Sequence, residues 1–448
     1  MKTAISRLFR LEPGEGFLVF VLGFILMSNS LAMQISNIVG VSGILSTGGV
    51  NQILVVLFVD YALILLAGGL QTLIVDKFER VNLIGWITLA FAFLFVVLRI
   101  MFLFNAPDGL NYSLMYILAE QQFVFFPLVF WVLASDIFKI SEAKRLFPLI
   151  SGWNFVGKLI GIGVAAISPT LFARIGVNVE EVLTINILLY LASYILIITG
   201  LQNLDVRKTA QKMETVRETL NEGWAFVKEV ASFRYMMIAI LLLALADTII
   251  EFRFLVVTDA IYRDQASYQQ FYSVYRLGVT LAALAVQTFV TSRIIQNMQL
   301  KNTFLIFPVV ATAGAVGMML VPGLSVAISA MVLVKLVRDT IHESGRKSFQ
   351  GLVPEERRGR VSTMMESYLP AFGTMLACLV AGGIVYVGVQ QGRDVSFAYL
   401  AVAAGASVFA LWAIFKMRDH YDSSLFNWRL KRRQRRAHTV LLDKIADS

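Results

Sequence analysis

The chain is poor in the residues that soluble enzymes and metalloproteins rely on. Only 15% of its 448 residues are charged, whereas about a quarter are charged in an ordinary soluble domain. A single cysteine, Cys378, excludes an internal disulfide, and three histidines argue against a metal cluster. The sequence also lacks a phosphate-binding loop and a recognisable nucleophile–base pair. We therefore expect neither an enzyme nor a bound cofactor, and an ATP-driven pump in a single chain is excluded.

Long hydrophobic runs dominate what is present. Hydrophobic residues make up 57% of the chain, and they form about twelve runs of roughly 20 residues, the length that crosses a bilayer as a helix. The sequence therefore predicts an all-α polytopic membrane protein with about twelve transmembrane helices in two six-helix halves. The predicted spans are 17–39, 51–74, 82–104, 112–138, 146–173, 182–201, 233–258, 269–292, 302–321, 324–349, 361–389 and 396–415.

Polar segments divide these spans into domains. The one long polar loop, 202–232, places Val216, Leu220, Trp224 and Val227 at helical spacing, which predicts an amphipathic linker on the membrane face. No small-residue cleavage site follows the first span, so we expect a retained helix rather than a signal peptide. The predicted domains are an N-terminal segment 1–16, a first bundle 17–201, the linker 202–232, a second bundle 233–415 and a basic tail 416–448.

The distribution of basic residues predicts the orientation. Most of the 39 lysines and arginines fall in loops on one side of the predicted membrane, together with both termini. Because such loops stay in the cytoplasm, both termini are predicted to be cytoplasmic. The net charge of +9 thus reflects membrane topology rather than nucleic-acid binding, and the tail is predicted to lie on anionic lipid. We expect a monomer in a bacterial cytoplasmic membrane, with lipids and a small solute as partners.

The stretch LADTIIEFRFLVVTD, residues 245–259, carries charge inside a predicted span. On a helix, Asp247 and Glu251 share a face and Arg253 points nearly the opposite way. A carboxylate in hydrocarbon costs roughly 3 kcal/mol, so these groups should face a partner or a wet cavity. Two interpretations are open. One is a solute or coupling-ion site near the middle of the membrane, and the other is a structural ion pair between helices.

The fifth span places a lysine beside small residues. Gly157 and Gly161 form a small-xxx-small face that lets a neighbouring helix approach closely, and Gly163 lies near that face. Lys158 could therefore reach a central cavity and attract an anion. The alternative is a lysine that extends to the cytoplasmic interface.

The tenth span is the other polar helix. Lys335 with Asp339, and Arg338 with His342, are four residues apart on one helix. This much basic charge suits a phosphate or carboxylate solute, whereas the alternative is a neutralised salt-bridge stripe at the cytoplasmic mouth. The cytoplasmic continuation of this span adds Glu343, Arg346 and Lys347. Lone charges in other spans, which we interpret as helix–helix contacts, are Asp60, Glu120, Arg276 and Glu366.

Four segments carry recognisable motifs: SEAKRLFPLISGWN at 141–154, DTIIEFRF at 247–254, YQQFYSVYRLGVT at 268–280 and GRKSFQGLVPEERRGRVS at 345–362. Together they resemble the ATP/ADP translocase (nucleotide transporter) family, a distant branch of the major facilitator superfamily. The resemblance implies movement of nucleotides, often as exchange of ATP for ADP. The chain departs from the family in its first span. Family members carry an Arg-Asp-Thr-Lys run there, whereas this chain reads SNSLAMQISN, residues 28–37.

The resemblance also implies site residues. Glu142, Lys144, Arg145 and Glu251 match positions that matter for transport in the family, and Arg346 or Lys347 could replace its lysine in the tenth span. With the charges above, the sequence predicts a secondary transporter of an anionic solute that works by alternating access. Alternatives are a proton-coupled transporter of a neutral or lipophilic solute and a non-transporting anchor or sensor.

The predicted site residues fall into three groups. Residues expected to contact the solute are Lys158, Glu251, Arg253, Arg276, Lys335 and Arg338. Residues expected to couple or gate transport within the spans are Asp247, Glu251 and Asp339. Residues expected to form a cytoplasmic charge lattice are Glu142, Lys144, Arg145, Arg346, Lys347, Arg357 and Arg358.

Overall fold

A computed structural model describes Glu12 and residues 15–74, 78–201, 228, 230–351, 353 and 361–446. Within these ranges, side chains are described except at 67–74, 140 and 423–446. The described residues form helices joined by short turns and contain no strand. They group into two compact units, one of Met1–Thr215 with Thr258–Gly278 and one of Val216–Val257 with Val279–Ser448.

The first unit contains six consecutive long helices. They are α1 Glu15–Gly48, α2 Val50–Ile74, α3 Arg80–Leu103, α4 Asp108–Ile137, α5 Ile140–Ile175 and α6 Val182–Leu201, with a single 3₁₀ turn, Val179–Glu181, before α6. Helix α1 lies at the centre of this unit: nearly all its residues from Val19 to Leu45 are buried, the polar ones included. It packs against α2, α4, α5 and α6.

The second unit is built from the remaining six helices, four of them composed of more than one segment. They are α7 Ala231–Ile261, α8 Gln265–Met298, α9 Leu300–Thr303 with Ile306–Leu320, α10 Leu324–Leu336 continued to Gln350, α11 Val361–Gln391 and α12 Ser396–Ala446. The last turns of α7 and the first half of α8 belong to the first unit.

Each predicted span coincides with one of these helices, so the predicted all-α fold is confirmed. Among the described residues, nine helices are long and apolar enough to cross a membrane. The helices continue past several predicted ends: α1 reaches Gly48 instead of residue 39, and the backbone of α12 is helical through Ala446. The predicted linker 202–232 lies mostly outside the described residues, as do Arg357 and Arg358.

Glycines bring the fifth helix of each unit against the first. A Cβ at Gly157 would lie 2.3 Å from the carbonyl oxygen of Met27, and one at Gly161 would lie 2.6 Å from that of Leu31. The small-residue face predicted on α5 is therefore confirmed, with α1 as its partner. In the second unit, a Cβ at Gly373 on α11 would lie 2.5 Å from the carbonyl oxygen of Leu241 on α7. Both contacts are backbone-to-backbone approaches that a side chain would block.

Helices α8, α10 and α11 each contain a π-helical turn. These turns are Gln287–Thr291, Val337–His342 and Met364–Tyr368, all in the second unit. A π turn holds one residue more than an α turn, so it rotates the side chains after it around the helix axis, and such turns are frequent at functional sites. The turn in α10 contains Arg338 and Asp339, two of the predicted site residues.

The same kind of helix end closes α5 and α11. Each helix ends at a glycine with left-handed backbone, Gly176 with φ 68° and Gly392 with φ 62°, the conformation that glycine adopts without strain. Beyond Gly392, the Asp394 carboxylate accepts the backbone N–H of Ser396 at 2.8 Å and caps α12. This N–H bond holds the pKa of Asp394 below its usual value.

Candidate solute-binding site

Two ion pairs connect α7 to α10 within the second unit. Lys335 Nζ lies 2.9 Å from Glu251 Oε2, and Arg338 donates from Nη1 to Asp247 Oδ2. The order of partners reverses along the chain, as two antiparallel helices require. We call these four residues the α7–α10 ion pairs. The shared face predicted for Asp247 and Glu251 is confirmed, because both reach the same neighbouring helix.

The α7–α10 ion pairs are unequally covered. The side chains of Asp247 and Lys335 are 10% and 15% exposed, whereas those of Glu251 and Arg338 are 29% and 34% exposed. Arg338 also donates from Nε to Asp339 at 2.7 Å. Each pair thus joins one covered charge to one more open charge, and an anion could reach the open guanidinium without full exposure of its partner.

Arg253 takes a different direction from α7. Its Nη1 donates to the hydroxyl of Tyr399 on α12 at 3.2 Å, which confirms that it points away from the face of Asp247 and Glu251. The structure therefore separates Arg253 from the α7–α10 ion pairs, although the sequence analysis grouped it with Lys335 and Arg338 as a contact for the solute.

The C-terminal continuation of α10, Glu343–Gln350, holds its own charges together. Glu343 accepts from Arg346, and Lys347 Nζ lies 3.1 Å from the same carboxylate. Between these charges and Arg338, the ring of His342 is buried against Phe304 and Phe307, with ring centroids 5.9 Å and 4.9 Å away. His342 was predicted to pair with Arg338 four residues earlier, whereas in the structure it packs against aromatic rings.

In the first unit, Arg276 meets the polar face of α1. Its Nη2 donates to Gln34 Oε1 at 2.9 Å, and its guanidinium carbon lies 5.8 Å from the centroid of the Tyr272 ring. Gln34 belongs to the segment SNSLAMQISN, where the resemblance would place cations. This uncharged segment of α1 therefore presents an amide to an arginine supplied by α8. Lys158 lies half-buried on α5, next to the Gly157 contact.

Other polar contacts attach the start of α8 to this unit. Gln265 Nε2 donates to the Tyr112 hydroxyl at 3.0 Å, and Gln269 Nε2 donates to the Ala165 carbonyl at 2.8 Å and to Ser168 Oγ at 2.9 Å. Gln269 and Ser168 are both buried. These bonds explain why the first half of α8 belongs to the first unit.

At the other end of the first unit, Arg145 forms a two-pronged pair with Glu15. Its Nη2 and Nη1 lie 2.6 Å and 2.9 Å from the two Glu15 oxygens, a geometry in which arginine binds carboxylates well. Glu142 accepts the backbone N–H of Lys139 at 2.9 Å and so caps its own helix. Lys144 is exposed. These contacts of Arg145 and Glu142 thus lie within the first unit.

The first unit contains a set of buried amides and carboxylates that were not predicted to contact one another. Asn37 Nδ2 donates to Glu120 Oε1 at 2.7 Å, and Gln121 Nε2 donates to Asp60 Oδ1 at 2.8 Å. Asp60 and Asn37 are buried. These residues were interpreted as lone helix contacts or passed over, because a single polar residue in an apolar run does not reveal its neighbours. The clustering of Ser, Asn and Gln in residues 28–37 was the available signal.

The pair of Asp247 and Arg338 can be tested by a double-mutant cycle. We expect Arg338→Met or Asp247→Asn alone to lower the free energy of unfolding by about 2 kcal/mol, because the first removes the cation paired with the covered Asp247 and the second removes one of the two carboxylates that accept from Arg338. The double variant should cost less than the two single costs added together. Thermal or denaturant unfolding of the four purified proteins measures this, and additive losses would show that the pair contributes nothing.

Solved structures with the same helical arrangement are membrane transporters. The crystal structure of the nucleoside transporter NupG matches with a TM-score of 0.65 at 15% identity, over 89% of this chain and 98% of that one. A bacterial homologue of the iron transporter ferroportin, in an inward-facing state, matches with a TM-score of 0.62 at 13% identity, over 91% and 100%. The human organic anion transporter MFSD10 matches with a TM-score of 0.59 at 14% identity, over 91% and 100%. The fold is therefore that of major facilitator-type transporters.

Sequence comparison then narrows this class to a family. The sequence profile of the TLC ATP/ADP transporters matches residues 96–337, more than half of the chain. The chain belongs to the TLC ATP/ADP transporter family, as the resemblance of the four segments indicated. It is a multi-pass integral membrane protein and a secondary transporter. No curated protein matches the chain in sequence.

Proposed function

We propose that this transporter carries a nucleotide, in exchange of the ATP-for-ADP kind, and that the α7–α10 ion pairs receive its phosphates. The observation that supports this most is the pairing of two cations, Lys335 and Arg338, with carboxylates on the opposite helix. A guanidinium binds a phosphate with the same fork geometry as a carboxylate. The phosphate of an entering solute can therefore replace Asp247 or Glu251 as the partner of these cations.

The replacement of a carboxylate by a phosphate, and the reverse step, gives the transporter a cycle of two states. Without solute, the carboxylates neutralise Lys335 and Arg338, and the charges stay satisfied inside the membrane at lower cost than unpaired ones. With solute, the released carboxylates must find new partners or water, which favours a different conformation of the helices. A ligand shifts a conformational equilibrium only through such differential interaction. Alternating access then follows from the competition between solute and carboxylate.

In the first unit, Arg276 and Lys158 are proposed as further solute contacts. Arg276 donates from Nη2 to the amide oxygen of Gln34, which is a neutral partner. A neutral partner binds a guanidinium more weakly than a charged one, so a phosphate displaces it at lower cost. Arg276 therefore takes the place of the cations that the family carries on its first helix. It is supplied by α8 and donates to an amide of α1.

The orientation in the membrane, the oligomeric state and the role of the outer charges are also proposed. We propose that both termini are cytoplasmic, in a bacterial cytoplasmic membrane, because most lysines and arginines fall on that side. We further propose a monomer that carries out transport without enzymatic chemistry. Arg346, Lys347 and Arg145, with their partners Glu343 and Glu15, are proposed to stabilise one end-state of the cycle.

A thermal-shift panel on purified protein tests the solute class. It contains ATP, ADP, other nucleotides, inorganic phosphate and a neutral nucleoside. A ligand at 100 times its Kd should add about 2.7 kcal/mol to the free energy of unfolding. We expect stabilisation by ATP or ADP that is lost in Lys335→Ala and in Arg276→Ala.

The matched control for this panel is Lys301→Ala. Lys301 forms an ion pair with Asp422 at 2.6 Å and lies in the short helix before the main part of α9. Nucleotide stabilisation should be retained in this variant. Stabilisation by the neutral nucleoside alone, or equal loss of the response in all three variants, would contradict the proposed phosphate contacts.

A further inference from the structure

Asp60 on α2 is a buried carboxyl group that the proposed solute cycle does not use. Its side chain is 0% exposed. Oδ1 accepts one hydrogen bond, from Gln121 Nε2 on α4 at 2.8 Å, and Oδ2 has no hydrogen-bond partner among the described residues. A carboxylate in such a position lacks both the counter-charge and the hydrogen bonds that would compensate its removal from water.

A second carboxyl group adds to this cost. Glu120 precedes Gln121 on α4 and acts on Asp60 by charge repulsion. Helix α1 contributes the amide of Asn37, which donates from Nδ2 to Glu120 at 2.7 Å. Thus α4 brings one acidic group towards Asp60, and α1 brings an amide. The Oδ1 atom of Asn37 is buried and has no hydrogen-bond partner in the described part of the chain. Because the amide is neutral, Asn37 does not compensate for the negative charge of this cluster from that side.

We propose that Asp60 is a proton-binding site through which a proton gradient drives this transporter. The Asp60 carboxylate takes up one proton on Oδ2 when the site is open to one side of the membrane and releases it when the site opens to the other. Protonation removes one negative charge from the Asp60–Glu120 cluster and supplies an O–H donor. This proposal goes beyond the solute site, and only its coupling to uptake rests on the function proposed above.

A proton suits the site better than a metal ion. Calcium takes six to eight oxygen ligands, and magnesium needs a complete octahedral shell. Among the described residues, no three acidic, histidine or cysteine side chains are grouped so that they could hold a metal. A proton needs only the free Asp60 oxygen. One proton can therefore neutralise the Asp60 carboxylate with a single oxygen atom as its ligand.

Infrared difference spectroscopy tests the proton site without reference to the solute. Spectra of the purified protein in acidic and alkaline buffer show the C=O stretch of each carboxylic acid that titrates between them. We expect one such band in the natural protein to be absent in Asp60→Asn, which has nearly the same shape. The control is Asp136→Asn, because Asp136 is a buried carboxylate paired with Arg80 at 3.4 Å, and the band should persist there. An unchanged band in Asp60→Asn would overturn the proposal.

A second variant applies if Asp60→Asn does not fold. Gln121→Leu removes the hydrogen bond that favours the ionised Asp60, so the acid band should persist into more alkaline buffer than in the natural protein. A band that titrates unchanged in Gln121→Leu would contradict the assignment. Each variant is first shown to be monodisperse by size-exclusion chromatography.

Nucleotide uptake into proteoliposomes tests whether protonation of Asp60 is coupled to transport. With acidic medium outside, the natural protein should accumulate nucleotide, and Asp60→Asn should lose this gradient-driven accumulation while it still exchanges internal for external nucleotide. Gradient-driven accumulation by Asp60→Asn would overturn the coupling. If the natural protein moves no nucleotide while the infrared band depends on Asp60, the proposed solute is wrong and the proton site stands.

Discussion

Replacement of Glu251 by glutamine is expected to lower nucleotide exchange at least about tenfold, equivalent to about 1.4 kcal/mol, while the protein still folds and binds nucleotide. Glutamine has the size of glutamate but cannot neutralise Lys335, which lies 2.9 Å from Glu251. The lysine then keeps its bound phosphate, because no carboxylate competes for it when the solute should leave. Uptake into proteoliposomes and the nucleotide thermal shift measure the two parts separately.

Glu181→Gln is the matched control for this variant. Glu181 is 33% exposed and pairs with Arg99 at 2.6 Å, close to the exposure and distance found for Glu251. It lies in the turn before α6, outside the proposed site. Natural uptake in Glu251→Gln, or an equal loss in Glu181→Gln, would show that the carboxylate of Glu251 has no special part in transport.

The second large effect concerns the contact between α5 and α1. Gly157→Ala places a Cβ 2.3 Å from the Met27 carbonyl oxygen, so the two helices must separate. We expect the free energy of unfolding to fall by about 2 kcal/mol or more, the usual range for an overpacked core. The apparent melting temperature, measured by size-exclusion chromatography of heated samples, should drop accordingly.

The same helix supplies the control. Gly163 lies six residues after Gly157, and a Cβ there would meet no atom within 4 Å. Because alanine favours a helix over glycine by roughly 0.5–1 kcal/mol, Gly163→Ala should leave the melting temperature unchanged or raise it. Effects of equal size and sign at the two positions would be incompatible with a close approach at Gly157.

Much of the fold could be predicted from hydrophobicity alone. Helix α6 spans 182–201 in both the prediction and the structure, and α7 was predicted at 233–258 and found at Ala231–Ile261. The length of α1 was not predicted, because the thickness of the bilayer sets the length of the apolar run but not that of the helix. The segment GVSGILSTG, residues 40–48, continues the helix past the predicted end. The π turns were also missed, since no local pattern distinguishes them from α-helix.

The candidate site was predicted less completely than the fold. The spacing of Asp247, Glu251 and Arg253 established their directions on α7, and Lys335 and Arg338 were recognised as important. Their actual partners were not predicted, because helices that are apolar on all sides give no sign of which face meets which neighbour. Asp60 was undervalued for the same reason: its environment comes from α1 and α4, not from its own helix.

The π turn at Met364–Tyr368 bears on how closely α5 and α11 correspond in length. Gly157 and Gly373 are separated by the same number of residues as Gly176 and Gly392, so α5 and α11 correspond without a gap over this length. Two further segments resemble each other in sequence, EAKRLFPLIS at 142–151 and EERRGRVSTM at 355–364, and their spacing along the chain is three residues shorter than that of the glycines. The π turn, with its extra residue, lies between that segment and Gly373. The extra residue of this turn accounts for one of the three residues by which the two spacings differ, so the correspondence between α5 and α11 is interrupted within a helix and not only in loops.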